Sequence, residues 1–195
     1  MKEVVLASVL LFSVGSIQAA ESIRWDSASL SYQTVELDEY DMSGFGISGT
    51  KLLNENIFVL GSYASVSDDV NVYGSNVDLE FNRLSLGLGY RYPVAKTTDL
   101  FGIVSYEKMG VEASYQGNSD DDSENGFGLQ GGVRTLVAEN IELSGALNYV
   151  DIGDASETGI NLSAMYHFTE QFSASIGYGH LDDVDTVSVS AVFFF

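Results

Sequence analysis

Ile141-Glu-Leu-Ser-Gly-Ala-Leu-Asn-Tyr149 decides the fold. Ile141, Leu143, Leu147 and Tyr149 share one parity; Glu142, Ser144, Ala146 and Asn148 share the other. Neighbouring side chains of a strand point to opposite faces, so one face here is oily and the other small and polar. The pattern returns at Ile160, Leu162, Ala164, Tyr166 and Phe168 against Asn161, Ser163, Met165 and His167. It returns again at Phe172, Ala174, Ile176 and Tyr178 against Ser173, Ser175, Gly177 and Gly179. The chain closes on Val187, Val189, Ala191, Phe193 and Phe195 against Ser188, Ser190, Val192 and Phe194.

Working outward, Phe127, Leu129 and Val133 alternate with Gly128, Gln130, Gly132 and Arg134. Leu84, Leu86, Leu88 and Tyr90 alternate with Arg83, Ser85, Gly87, Gly89 and Arg91. Ten such segments are placed near 27–37, 43–53, 56–67, 79–92, 99–115, 125–137, 140–152, 158–168, 171–180 and 185–195. The first two are the least regular, so eight strands is the alternative count. Most segments have the roughly 9–13 residues that a tilted strand needs to cross a membrane. Short connections are expected at Asn54-Glu55, Ala138-Glu139 and Thr169-Glu170, with Pro93 to Thr98 joining the fourth and fifth segments. The other connections are expected to be longer, and they are far more acidic.

Composition narrows the class. The 195 residues carry 8 Lys and Arg against 28 Asp and Glu, a net charge of −20, with no cysteine. That excludes a disulfide framework and a thiol nucleophile, and it speaks against nucleic acid as a partner, which needs clustered Lys and Arg. Hydrophobic residues still make up 45%. Residues 1–20, MKEVVLASVLLFSVGSIQAA, read as a secretory signal peptide. The apolar run from Val4 to Val14 is too short to span a bilayer as a helix, and Ala19-Ala20 offers small residues for cleavage. Lys2 and Glu3 cancel, so the charge of −20 survives removal of the segment. The domain proper is then 21–195.

A soluble β-sandwich would also alternate apolar-in and polar-out. Two features favour lipid. The polar face is mostly Gly, Ser, Asn and Gln, which suits a confined lumen better than open solvent. Aromatic residues also sit at both ends of the apolar face. Tyr90, Tyr92, Tyr166, Phe168, Phe172 and Phe195 form one belt; Phe45, Tyr63, Phe127, Tyr149 and Tyr178 form the other. Aromatic side chains gather at membrane–water boundaries. In hydrocarbon every backbone polar group must pair within the protein, which an open sheet cannot do. The expectation is an all-β, closed, antiparallel, up-and-down transmembrane β-barrel.

With its export signal, alternating strands and terminal Val187-Ser-Val-Ser-Ala-Val-Phe-Phe-Phe195, the chain resembles small bacterial outer-membrane β-barrels of the OmpA/OmpX-like group. The resemblance covers most of residues 22–195 and implies export through the periplasm to the outer membrane of a Gram-negative envelope. It implies outer-membrane lipids and lipopolysaccharide as surroundings. It also implies that the barrel-assembly machinery reads Val189, Ala191, Phe193 and Phe195 as its signal. The comparison barrels have eight strands, two fewer than the ten placed here.

Candidate sites are sparse. Arg83, Arg91, Arg134 and Glu142 are expected to face the lumen with Glu107 as a polar network, since a buried arginine needs a partner. Asp120, Asp122 and Glu124 alternate in an acidic stretch, a weak candidate for divalent cations, but the stretch lacks the twelve-residue calcium loop. Of the two histidines, His167 reads as a lumen residue. His180, followed by Asp182, would be the base of an outer-surface hydrolase. The leading reading is a non-enzymatic barrel with an envelope or surface role, without a cofactor. A narrow, porin-like pore through a Gly- and Ser-lined lumen is the alternative, and the hydrolase ranks third.

Overall fold

The computed structural model describes residues 22–37, 40–72, 75–115 and 118–195, and the side chains of these except 40, 69–72, 75–78, 113–115 and 118–120. Ten strands follow in order: β1 (Ser27–Leu37), β2 (Tyr40–Leu52), β3 (Ile57–Val72), β4 (Ser75–Ala95), β5 (Thr98–Tyr115), β6 (Asn118–Ala138), β7 (Ile141–Ile152), β8 (Ala155–His167), β9 (Phe172–Leu181) and β10 (Val184–Phe194). Each pairs antiparallel with the next, and β1 pairs with β10 from Ser27↔Phe194 to Leu37↔Val184, which closes the barrel. The count is ten, not eight.

The oily face points out. Leu143, Leu162 and Ile176 are 41%, 51% and 62% exposed at the outer wall, while Ser144, Ser163 and Ser175 are partly covered inside. A soluble sandwich would bury the first set. Tyr90, Tyr92, Tyr166, Phe168, Phe172 and Phe195 stand exposed at one end of the wall, and Phe45, Tyr63, Phe127 and Tyr178 toward the other. Aromatic pairs knit these bands, including Tyr166 with Phe168 and Phe172 with Phe193.

Two expectations about the connections are corrected. Pro93 lies within β4, and the turn to β5 is only Lys96-Thr97. The register shifts between Pro93 and Ala95, as suits a residue with no N–H to give to the ladder. The acidic connections opposite the short turns are also not long loops. Gly153-Asp154 and Asp182-Asp183 are two-residue turns, with Gly153 and Asp182 in the left-handed region that such turns need. Most of the acidic residues belong to strands that run on past the membrane. At about 3.3 Å per residue, the 21-residue β4 and β6 reach roughly 70 Å, about twice the length of the 10-residue β9. The wall is therefore tall around β3–β6 and low around β8, β9, β10 and β1.

Candidate functional site

The lumen is the candidate site, and it has three storeys. The base lies at the end away from the long acidic strand extensions, where the chain enters β1 and leaves β10, the periplasmic end in barrels of this kind. There the segment Ser22–Asp26 folds into the barrel. Trp25 is buried against Phe58, with ring centroids 4.4 Å apart, and edge-on to Phe101 at 5.7 Å. Ile23 and Leu136 complete this small core. Gly89 makes room for it, since a Cβ there would sit 2.1 Å from the Phe58 ring. The Trp25 indole N–H donates to Asp99 Oδ2 at 2.7 Å, and Arg91 pairs with the same carboxylate at 3.3 Å. Arg134 stacks 4.5 Å above the Trp25 ring and donates from Nε to Glu142 Oε1 at 2.6 Å and from Nη2 to the Arg24 carbonyl at 3.0 Å.

Glu142, His167 and Ser173 lie together at 3%, 5% and 4% exposure. Arg24 Nη2 lies 3.1 Å and Ser173 Oγ 2.7 Å from His167 Nδ1, while Nε2 lies 3.6 Å from Glu142. A serine, a histidine and a carboxylate invite comparison with a hydrolytic triad. Here Arg24 lies against the histidine and itself stacks on Phe194 at 4.3 Å, and the whole group is buried. The cluster ties the Ser22–Asp26 segment, which plugs the base, to β6, β8 and β10 through Arg134, His167 and Phe194.

The middle storey is small and polar. Glu107 accepts from Arg83 Nε at 3.0 Å and from the Ser85 and Ser105 hydroxyls at 2.8 and 2.6 Å. Gln130 donates to Asn148 at 2.6 Å. The arginines and glutamates expected in one network thus form separate pairs: Arg83–Glu107 at mid-lumen, Arg134–Glu142 and Arg91–Asp99 at the base. Asp99, Trp25 and Arg24 lie outside the expected network; its three arginines against two glutamates are the signal for a further carboxylate.

The top storey inverts the polarity. Along β1 the inward series runs Ser27, Ser29, Ser31, Gln33 and then Val35 and Leu37; the outward series runs Ala28, Leu30, Tyr32 and then Thr34 and Glu36. In β7, Val150 and Ile152 are buried inside while Asp151 faces out. Met42 and Val66 are likewise buried inside the rim. Above the bilayer the wall meets water, so the oily face turns inward there as in any soluble barrel. A cavity of about 760 Å³ runs from the mid-lumen polar groups up through this collar.

On the outer surface, His180 is paired with Asp185 at 3.0 Å rather than with Asp182, and the Tyr178 hydroxyl donates to the same carboxylate at 2.6 Å. Asp122 and Glu124 stand exposed on β6, and the Asp120 side chain lies outside the described residues; among those, no cluster of three ligating residues could hold a metal ion.

Residues 4–168 match the model of the outer membrane protein beta-barrel domain. The chain belongs to that family. Its barrel is an outer-membrane barrel, with the bilayer around its apolar wall. A search of curated proteins finds no match to the sequence. Among solved structures it is similar to the NanC porin, with a TM-score of 0.54 and 10% identity over 85% of this chain and 100% of that one. It is also similar to Ail, the attachment invasion locus protein of Yersinia pestis, with a TM-score of 0.43 and 17% identity over 88% and 99%. OprG from Pseudomonas aeruginosa aligns with a TM-score of 0.45 and 11% identity over 90% and 99%. At such identities the likeness is one of fold.

Proposed function

We propose that this barrel is a non-enzymatic envelope protein whose lumen opens outward and is stopped at its periplasmic base. One observation carries the reading: the Ser22–Asp26 segment fills the base, with Trp25 on Phe58 and Arg24 and Arg134 tied to His167 and Glu142. An ion would have to displace a buried tryptophan and break charged hydrogen bonds to pass. In this reading residues 1–20 are the export signal and Ser22 lies near the start of the mature domain. Val189, Ala191, Phe193 and Phe195, which alternate outward on β10 and just beyond it, would be the stretch the assembly machinery reads. The acidic outer residues would attract divalent cations diffusely at the lipopolysaccharide surface.

The narrow pore is the second reading, favoured by the 760 Å³ cavity. Planar-bilayer recording separates the two. The stopped barrel gives no discrete conductance steps, and Trp25→Ala gives them while keeping heat-modifiable migration on gels. Discrete steps from the unaltered protein, abolished by Ser163→Phe in the lumen, would establish the pore instead.

A further inference from the structure

We propose that the upper lumen is a binding cup for a small organic cation with an apolar body. The cup has walls of one chemistry and surroundings of another. Val35, Leu37, Met42, Val66, Phe81 and Val184 line it. Below them the polar groups are already spoken for: Glu107 by Arg83 and two serines, and Asn148 by Gln130. The lower lumen therefore presents neutralised pairs rather than a free charge. At about 760 Å³ the space is in the range that holds a drug-sized molecule.

The sign of the ligand follows from the same strands. Acidic residues interleave with the collar: Glu36 between Val35 and Leu37, Asp41 beside Met42, Asp151 beside Val150, Asp185 beside Val184. Each collar side chain turns in while its acidic neighbour turns out, so the oily throat is ringed by carboxylates. Glu157 lines the cavity itself. Among the described residues at this height, the lysine and arginine are Lys108 and, on the lumen side, Arg83, whose charge is met by Glu107. Low-dielectric walls focus such a field into the throat, which draws cations and repels anions. An inorganic ion would gain nothing from the collar; an apolar cation gains from both, and Phe81 offers its ring to the charge. The cup rests on the stopped-base reading only for its one-sided access. An empty cup would leave the conductance result untouched.

The test uses the protein labelled with ¹³C-methyl methionine, extracted from outer membranes and placed in phosphatidylcholine nanodiscs. Met42 and Met109 line the cup, and Met165 on β8 lies nearer the base. Benzyltrimethylammonium is expected to shift the Met42 and Met109 methyl signals saturably at submillimolar concentration, leaving Met165 nearly still. Phenylacetate, similar in size but anionic, should bind at least tenfold more weakly. Ser163→Phe, which fills the cavity from β8, should weaken the cation's binding more than tenfold. Three results would each overturn the proposal: methionine signals that do not move, equal affinity for phenylacetate, or undiminished binding to folded Ser163→Phe, which would mean only surface attraction. If Ser163→Phe does not fold, the methionine shifts and the phenylacetate comparison decide alone.

Discussion

The two ends of one lumen are built by opposite rules. At the base, charged and aromatic groups are packed dry: Arg134 and Glu142 bond at 2.6 Å beneath a tryptophan, with the Arg134 side chain only 15% exposed. At the mouth most inward residues are apolar, and carboxylates such as those of Glu36, Asp41, Asp151 and Asp185 have moved to the outside of the wall, while Glu157 stays inside. The base needs paired charges because five residues of backbone enter it and their polar groups must be satisfied. The mouth needs oil because its outer surface stands in water. The first end is a stopper and the second a receptacle.

Removing one partner of each ion pair breaks or sharpens this contrast most strongly. Glu142→Leu leaves Arg134 without its carboxylate in a dry site and should cost about 3–5 kcal/mol. Glu107→Leu acts where Arg83 is 36% exposed, and water screens the loss to about 1 kcal/mol. Urea unfolding midpoints in phosphatidylcholine vesicles measure both; equal losses would erase the distinction between dry base and wetter middle. On the outer wall, Ile176→Arg at mid-span should cost about 2–4 kcal/mol and Thr34→Arg, where the wall leaves the membrane, at most about 1 kcal/mol. Reversal of that order in the same unfolding assay would move the bilayer boundary.

The smallest effect concerns the anchor of the plug. Asp26 accepts from Lys51 and from the Leu52 amide at 2.7 Å. Burial pushes its carboxyl up, but the Lys51 hydrogen bond, the Leu52 amide and the Lys51 charge together hold it below the ordinary carboxylate value. The carboxylate form is thus favoured in the folded state. Its stabilisation is complete above the unfolded value of about 4 and fades as pH falls through the lower folded one. Exchange of the Leu52 amide should be unchanged from pH 7 to 5, once corrected for intrinsic rates, and accelerate only in stronger acid. Asp26→Asn should lack that acid step.

Much of the wall was legible because period-two alternation is a local signal. β1 and β7 fall on the expected residues to within one position. The outer ends are less legible because acidity there accompanies strand as well as turn. Val35-Glu-Leu37 and Leu79-Glu-Phe81 keep the alternation but swap its faces, and a charge count does not register a swap. The lumen partners were half legible. Arg83 and Glu107 share a face of adjacent strands, whereas Trp25, in a segment with no period, meets Asp99 only because the chain doubles back into the barrel. His180 lost Asp182 to Asp185 because the turn carries Asp182 away while β10 brings Asp185 directly opposite.

The most direct test of a lumen open above and stopped below uses the absence of native cysteine. Ser163→Cys, in the cavity, and Ser173→Cys, buried at the base beside His167, are each treated in intact cells with a small cationic thiol reagent that does not cross membranes. Rapid labelling at 163 and protection at 173, lifted when Trp25→Ala is added, is the predicted result. Equal and rapid labelling of both positions in the otherwise unaltered barrel would contradict the account.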